Sequence, residues 1–180
     1  MTTRTRILKG ARALAEEIDW EAAYQEYLPR IYNFFCYHVS DESLAEDLTA
    51  VTFEKAWRGR SRYRRDLSAF STWLFTIARN VATDHFRRKE RELPLEVVRE
   101  QADPASLEEI VQQDQDFAQL VSILSEFPAR ERELIAFKYG AGLNNREIAR
   151  LMHLSESNVG TILNRTVEKL RIAMEVNHER

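Results

Sequence analysis

At 180 residues, 44% hydrophobic and 31% charged, the chain has room for one or two small domains, and its composition excludes a disordered or low-complexity polymer. A single cysteine, Cys36, excludes an internal disulfide framework and a multi-cysteine zinc site, and no apolar run approaches the roughly 18 residues that a membrane span needs. The start of the chain is mixed in charge and lacks an apolar targeting core, so a cytoplasmic location without membrane insertion is expected. The formal net charge of −3 hides a strong segregation: residues 1–53 carry −4, 54–91 carry +7, 92–128 carry −8 and 129–180 carry +2. A basic block followed by an acidic one implies separate tasks, and the overall acidity tells against a general DNA coater.

Residues 1–18 form a leader in which no function is legible. Asp19 is placed to cap a helix over 20–39, with Tyr24, Leu28, Ile31, Tyr32 and Phe35 as its apolar stripe and Pro29 able to kink it. After Ser40 and Asp41 a second helix is predicted to about Arg58. Its apolar face is Leu44, Leu48, Val51 or Thr52, and Trp57, with Phe53 beside it. The third helix, over 68–91, dominates the segment. Phe70, Trp73, Leu74, Ile77, Ala78 and Val81 recur at spacings of three and four, while Asn80, Thr83, Asp84, Arg87 and Arg88 fall on another face. A basic run, RGRSRYRR at 58–65, precedes it, and Trp57, Tyr63, Phe70, Trp73, Phe75 and Phe86 are interleaved with the charge. Guanidinium groups hold phosphates and flat rings stack on unpaired bases, so this pattern suits a surface for single-stranded nucleic acid. Three helices with short connections predict a compact bundle over 19–91.

From 92 to 116 the composition turns acidic and proline-bearing, which predicts a linker with a helical patch near 107–111. The second domain, 117–180, opens with a helix carrying Leu120, Ile123, Leu124 and Phe127. Pro128 suits the first position of the next helix, which contains Leu134, Ile135 and Phe137 and ends at Gly140 or Gly142. Then comes LNNREIARLMHLSESNVGTILNRTVEKLR, 143–171. Asn144 with Glu147 forms a capping box, Met152 to Leu154 make a turn, and Ser155 caps a further helix whose inward stripe is Val159, Ile162 or Leu163, Val167 and Leu170. Helix, short turn and capped helix is the helix-turn-helix pattern, whose second helix enters the major groove. Glu156, Ser157, Asn158, Thr161 and Arg165 project from that helix, while Arg146, Arg150 and Lys169 are placed for phosphates.

Together these stretches resemble the extracytoplasmic-function group of bacterial RNA polymerase sigma factors. AEDLTAVTFEKAW at 45–57 is similar to that family's polymerase-docking helix, FSTWLFTIARNVATDHFRRKER at 70–91 to its −10-reading helix, and the helix-turn-helix to its −35 reader. The resemblance covers about 20–90 and 117–174 in the family's order. It implies an all-α fold of two small helical domains joined by the acidic linker, with core RNA polymerase and promoter DNA, duplex and melted, as partners. An anti-sigma factor is a further partner the family implies. By the same resemblance Asp47, Leu48, Phe53 and Trp57 match docking or supporting positions. Arg62, Arg64 and Arg65 fall in the loop near a flipped base, and Trp73, Asn80, Asp84, Arg87 and Arg88 match the −10 element. Ala50 and Val51 replace the family's usual Gln-Glu pair, and Gly160 and Ile162 stand where it often has Lys and Arg. Gly160 is expected to be tolerated because a backbone passes close.

No paired carboxylates, nucleophile with a base or phosphate-cradling loop is visible, and the four histidines lack metal spacing, so neither catalysis nor a cofactor is expected. By the same resemblance the acidic linker threads towards the polymerase active-site channel and RNA exit, where its charge suits a nucleic-acid mimic that nascent RNA displaces. The rival from another class is a stand-alone, dimeric helix-turn-helix regulator with an N-terminal oligomerisation or sensory bundle. The basic, aromatic helix at 70–91 tells against it, because a dimerising bundle has no use for one.

Overall fold

The computed structural model describes residues 18–39, 41–92 and 112–178, and every regular element among the described residues is helical. α1 (Trp20–His38) starts on Asp19, whose carboxylate accepts from the Ala22 N–H at 3.1 Å. α2 (Glu42–Gly59) starts in the same way on Asp41, which accepts from the Leu44 N–H at 3.0 Å. Each aspartate satisfies an orphan donor and sets negative charge at the positive end of the helix dipole. A 3-10 turn (Arg60–Arg62) and a loop lead to α3 (Phe70–Glu92).

The buried side of α2 is Ala45, Leu48, Thr49, Thr52 and Ala56, so Leu48 and Thr52 of the predicted stripe are borne out, while Val51 and Trp57 give way to Ala45, Thr49 and Ala56. Val51 is 37% exposed and Trp57 50%. Threonine can line a core because its hydroxyl bonds back to its own helix: Thr49 donates to the Ala45 carbonyl and Thr52 to that of Leu48, both at 2.7 Å. Thr166 does the same toward Ile162, at 2.9 Å. In α3 the core takes Leu74, Phe75, Ala78, Val81 and Ala82. Phe75, expected among the rings available to bases, is fully enclosed and cannot serve them.

α4 (Gln112–Ser125) begins inside the stretch predicted as linker, while the predicted patch at 107–111 and the acids Glu108 and Glu109 lie outside the described residues. Pro128 sits at the cap of α5 (Ala129–Ile135), one position before the one expected. The helix then widens into a π-helical turn (Ala136–Gly140), closed by the Ala141 N–H donating to the Ala136 carbonyl at 2.9 Å. α6 (Asn145–Met152) and α7 (Glu156–His178) complete the chain. Val159, Leu163, Thr166 and Leu170 face inward from α7, whereas Val167, expected there, lies at the margin and is 37% exposed.

The two groups of helices share one core. Phe137 of the π turn stacks on Phe34 of α1 at 4.8 Å, and Phe75 meets the edges of both rings at 6.2 Å. Gly140 makes this approach possible: a Cβ there would lie 2.7 Å from the Asn33 carbonyl oxygen. Around the rings, Arg30 Nε donates to the Ala141 carbonyl at 2.8 Å. Arg79 pairs with Glu133 at 2.6 Å and also reaches the Leu151 carbonyl at 3.1 Å. Tyr37 packs against Phe117 at 5.1 Å.

His38 lies at the edge of this seam, stacked on Phe34 and tilted against Phe86, with its Nδ1 buried and without a hydrogen-bond partner. Burial, then the nearby Arg132 guanidinium, pushes its pKa down to about 4. The unfolded chain takes up that proton near the ordinary 6.5, so the stabilisation is complete above 6.5 and is lost as pH falls toward 4. Denaturant midpoints should therefore drop between pH 7.5 and pH 4.5, and His38→Phe should flatten the drop; an equal slope in both proteins contradicts the assignment.

Gly160, by contrast, is not packed under a backbone. A Cβ there would meet only Asn145 Nδ2, at 3.6 Å, which is ordinary contact and overturns the expected close approach. Gly160→Ala should raise stability by up to about 1 kcal/mol through helix propensity alone, read as a higher urea midpoint at unchanged slope.

Candidate nucleic-acid interface

The first candidate surface runs along α3 and the loop before it. Trp73, Asn80, Asp84 and Arg87 follow one another at helical spacing and form one stripe, with Arg88 beside it. Asn80, Arg87 and Arg88 are exposed. At its upper end the stripe joins a cluster of rings: Trp73 lies 5.1 Å from Tyr63 and 5.6 Å from Phe70, and Trp20 meets Trp57, Phe70 and Trp73 edge-on. Trp73 is thus half-buried and fixed in orientation. Trp57 stays half outside, with the Arg60 guanidinium over its ring at 4.0 Å.

The Tyr63 hydroxyl donates to the Ser68 carbonyl at 3.1 Å and so ties the loop to the start of α3. This brings the exposed Arg62, Arg64 and Arg65 beside the ring cluster. Leu67, absent from the expected site, is 72% exposed on the same loop. The sequence signal for it was only an apolar residue between Asp66 and Ser68. Lys55 was missed as well; it reaches Asp84 from α2 at 3.8 Å.

Several of these cations already face an acid. Arg64 makes two bonds to Asp66, at 3.2 and 2.7 Å, and holds its carboxyl below the usual range. Arg87 donates to Asp84 at 2.7 Å. Exposed pairs of this kind are worth about 0–1 kcal/mol, so a phosphate can replace the carboxylate at little cost.

The second candidate surface is built by local capping. The Asn144 side chain accepts from the Glu147 N–H at 3.0 Å, and Glu147 accepts from the Asn144 N–H at 2.9 Å, which completes the predicted capping box. His153 turns the chain in the left-handed region at φ 54, and the Ser155 hydroxyl then accepts from the Asn158 N–H at 3.1 Å to start α7. Glu156, Ser157, Asn158, Thr161 and Arg165 are all exposed on its first turns. Thr161 donates its hydroxyl proton to the Ser157 carbonyl at 3.0 Å, which leaves an acceptor and a methyl group facing out. Arg146 lies 3.6 Å from Glu156. Lys169, expected at a phosphate, instead bonds both Glu131 oxygens at 3.0 Å, because α7 packs on α5 there.

The four docking positions separate. Phe53 lines an open groove of about 570 Å³ between α1 and α2, together with Tyr24, Leu28, Pro29, Tyr32, Glu46, Thr49 and Ala50. Asp47 is exposed on the same helix. Leu48 is buried and fits the supporting role, while Trp57 belongs to the ring cluster on α3.

Comparison with known proteins finds a match in each half of the chain. The Sigma-70 region 2 family model matches residues 23–92, and the Sigma-70, region 4 model matches 117–170. The RNA polymerase sigma factor CarQ of Myxococcus xanthus is 31% identical over 155 residues, spanning 84% of this chain and 87% of that protein. The ECF RNA polymerase sigma factor SigM of Bacillus subtilis is 29% identical, with 82% and 90% covered. BldN of Streptomyces coelicolor, also an ECF sigma factor, is 30% identical over 88% of this chain, which spans only 62% of that protein. Among solved structures, the sigma factor RpoE in complex with the anti-sigma factor NepR from Bartonella quintana superposes with a TM-score of 0.67 at 25% identity, covering 88% of this chain and 98% of that one. No described helix is long and apolar enough to cross a membrane. With matches to both conserved regions in their expected order, the chain belongs to the extracytoplasmic-function group of sigma-70-type RNA polymerase sigma factors.

Proposed function

We propose that this chain binds core RNA polymerase and directs it to specific promoters through two DNA-reading surfaces. The first turns of α7 enter the major groove of the duplex −35 element, where Glu156, Ser157, Asn158, Thr161 and Arg165 read base edges and Arg146 and Arg150 set register on phosphates. The stripe of Trp73, Asn80, Asp84, Arg87 and Arg88, with Arg62, Arg64 and Arg65 of the adjoining loop, captures the melted −10 strand. Flipping a base costs a few kcal/mol, and stacking and pocket contacts offset it, so the open duplex is favoured over the closed one. The chain catalyses no bond chemistry in this account; the polymerase does.

The groove between α1 and α2, lined in part by Glu46 and Phe53, is the docking surface for the polymerase, with Asp47 exposed on α2. An anti-sigma factor is a second partner, a reading supported by the likeness to RpoE, which was solved with NepR. The observation that carries the proposal is that one chain exposes a capped helix-turn-helix and, separately, a basic stripe joined to fixed aromatic rings. A stand-alone dimeric regulator accounts for the first surface only, and the region 2 match over 23–92 gives its bundle another task.

The test is transcription by core polymerase, with and without the protein, on fragments selected by the reconstituted complex from a random pool. Specific starts should appear only with the protein. Arg165→Ala should weaken binding to −35 duplex by about 1–3 kcal/mol. Arg87→Ala with Arg88→Ala should slow strand opening more than it weakens duplex binding. If the two sets of substitutions act alike, the division of labour is wrong.

A further inference from the structure

Leu67 is the most exposed of the large hydrophobic residues described, at 72%, and neither reading surface gives it a task. A solitary leucine at a protein surface is ordinary, but this one is held in place. The Arg64 carbonyl accepts from the Leu67 N–H at 3.0 Å and from the Ser68 N–H at 3.3 Å, which closes the backbone into a tight turn. The Arg64 guanidinium grips Asp66 through two bonds, at 3.2 and 2.7 Å. From the other side the Tyr63 hydroxyl donates to the Ser68 carbonyl at 3.1 Å. The residues before and after Leu67 are thus tied, and the turn has little freedom to draw its side chain out of water.

Its surroundings suit DNA. Arg62, Arg64 and Arg65 precede Leu67 on the same short loop and are exposed. Tyr63 packs on Trp73 at 5.1 Å, so the turn stands at the ring end of the stripe on α3. From Trp73 to Arg87 that stripe is about 21 Å long at 1.5 Å per residue. A strand laid along it meets, at the Trp73 end, an aliphatic side chain among guanidinium groups. Such a side chain has no hydrogen bond for a base edge and no charge for a phosphate. What it can do is enter the gap between two bases, as leucine and other apolar wedges do in proteins that unstack duplex DNA. The stacking lost at one step and the burial gained by one leucine are of similar size. The exchange is therefore near balance, and guanidinium contacts to the flanking phosphates tip it toward the open form.

We infer that Leu67 is a wedge: it enters the base stack at the edge of the melted −10 segment and fills the place of a base drawn out toward the ring end of α3. Arg62, Arg64 and Arg65 hold the phosphates around it. The inference rests on the function proposed above and adds to it a residue that acts on the bases. A wedge differs from a strand-holding group in when it is needed. A group that only holds the melted strand is needed on every template, whereas a wedge is needed only while the bases are still stacked.

The test compares polymerase carrying the wild-type chain, Leu67→Ala or Leu67→Met on two forms of a promoter selected as above. One form is fully paired, with 2-aminopurine in its −10 segment to report unstacking; the other is mismatched there and already open. Leu67→Ala should slow the fluorescence rise on the paired form about tenfold and leave starts from the mismatched form within about twofold of wild type. Leu67→Met, which keeps the apolar bulk, should recover most of the rate. An unchanged rate with Leu67→Ala on the paired form overturns the wedge. So does an equal loss on both forms, which would make Leu67 part of the strand grip or of the shape of the loop. Leu67→Met as slow as Leu67→Ala overturns it too, since apolar bulk is what a wedge supplies. If the wild-type chain gives starts on neither form, the proposed function fails and the wedge with it; any of the other contrary results, with wild type active, removes the wedge alone.

Discussion

The approach of the π turn to α1 is the constraint on which the arrangement depends. A flat ring pair, Phe34 on Phe137, needs the two backbones close, and Gly140 permits this because no side chain intervenes before the Asn33 carbonyl. Phe137 and Gly140 both lie in the π turn, and such local widenings often mark sites of function. Burying an aromatic ring fully is worth about 1.5–3 kcal/mol. Two polar ties fix the angle at which the lobes meet: Arg30 to the Ala141 carbonyl, and Arg79 to Glu133 and the Leu151 carbonyl.

α3 carries the consequences of that arrangement on its two sides. One side supplies Phe75 and Arg79 to the shared core and the other presents Asn80, Arg87 and Arg88 to solvent. Its outward Arg87, like Arg64 and Arg146, is held by an acidic neighbour at the surface. These carboxylates orient the guanidinium groups and offset their charge. Because exposed pairs are weak, they yield readily to a strand presented at the right place. Specificity then rests on geometry, with fixed rings at one end of the stripe and capped first turns on α7.

Local features of this fold were legible from the residues alone, and long-range ones were not. Asp19, Asp41, Asn144 and Ser155 act as caps in the structure because a cap needs only a side-chain oxygen and the next turn of backbone. The helix-turn-helix followed for the same reason. The face of α2 was only partly read: Leu48 and Thr52 were foreseen, but Thr49 was not, because it counts as polar by composition although its hydroxyl is satisfied within its own helix. Phe75 had the spacing of an available ring, but a partner more than 60 positions away in sequence, Phe137, encloses it. Gly140 ends its helical run as read, but its close approach to Asn33 was not foreseen, whereas the close approach expected at Gly160 is absent, because only packing between distant segments decides such contacts. Lys169 was misplaced similarly, since Glu131 on a neighbouring helix was not foreseeable from periodicity.

The central claim is that one chain carries two separate DNA-reading surfaces, the stripe on α3 with its adjoining loop for melted strand and the first turns of α7 for duplex. Photocross-linking from single modified bases, in the complex with polymerase and promoter, measures this directly. The account predicts that bases of the melted −10 strand mark α3 and the loop before it, while bases of the −35 duplex mark α7. Cross-links from both elements to the same helix would contradict it.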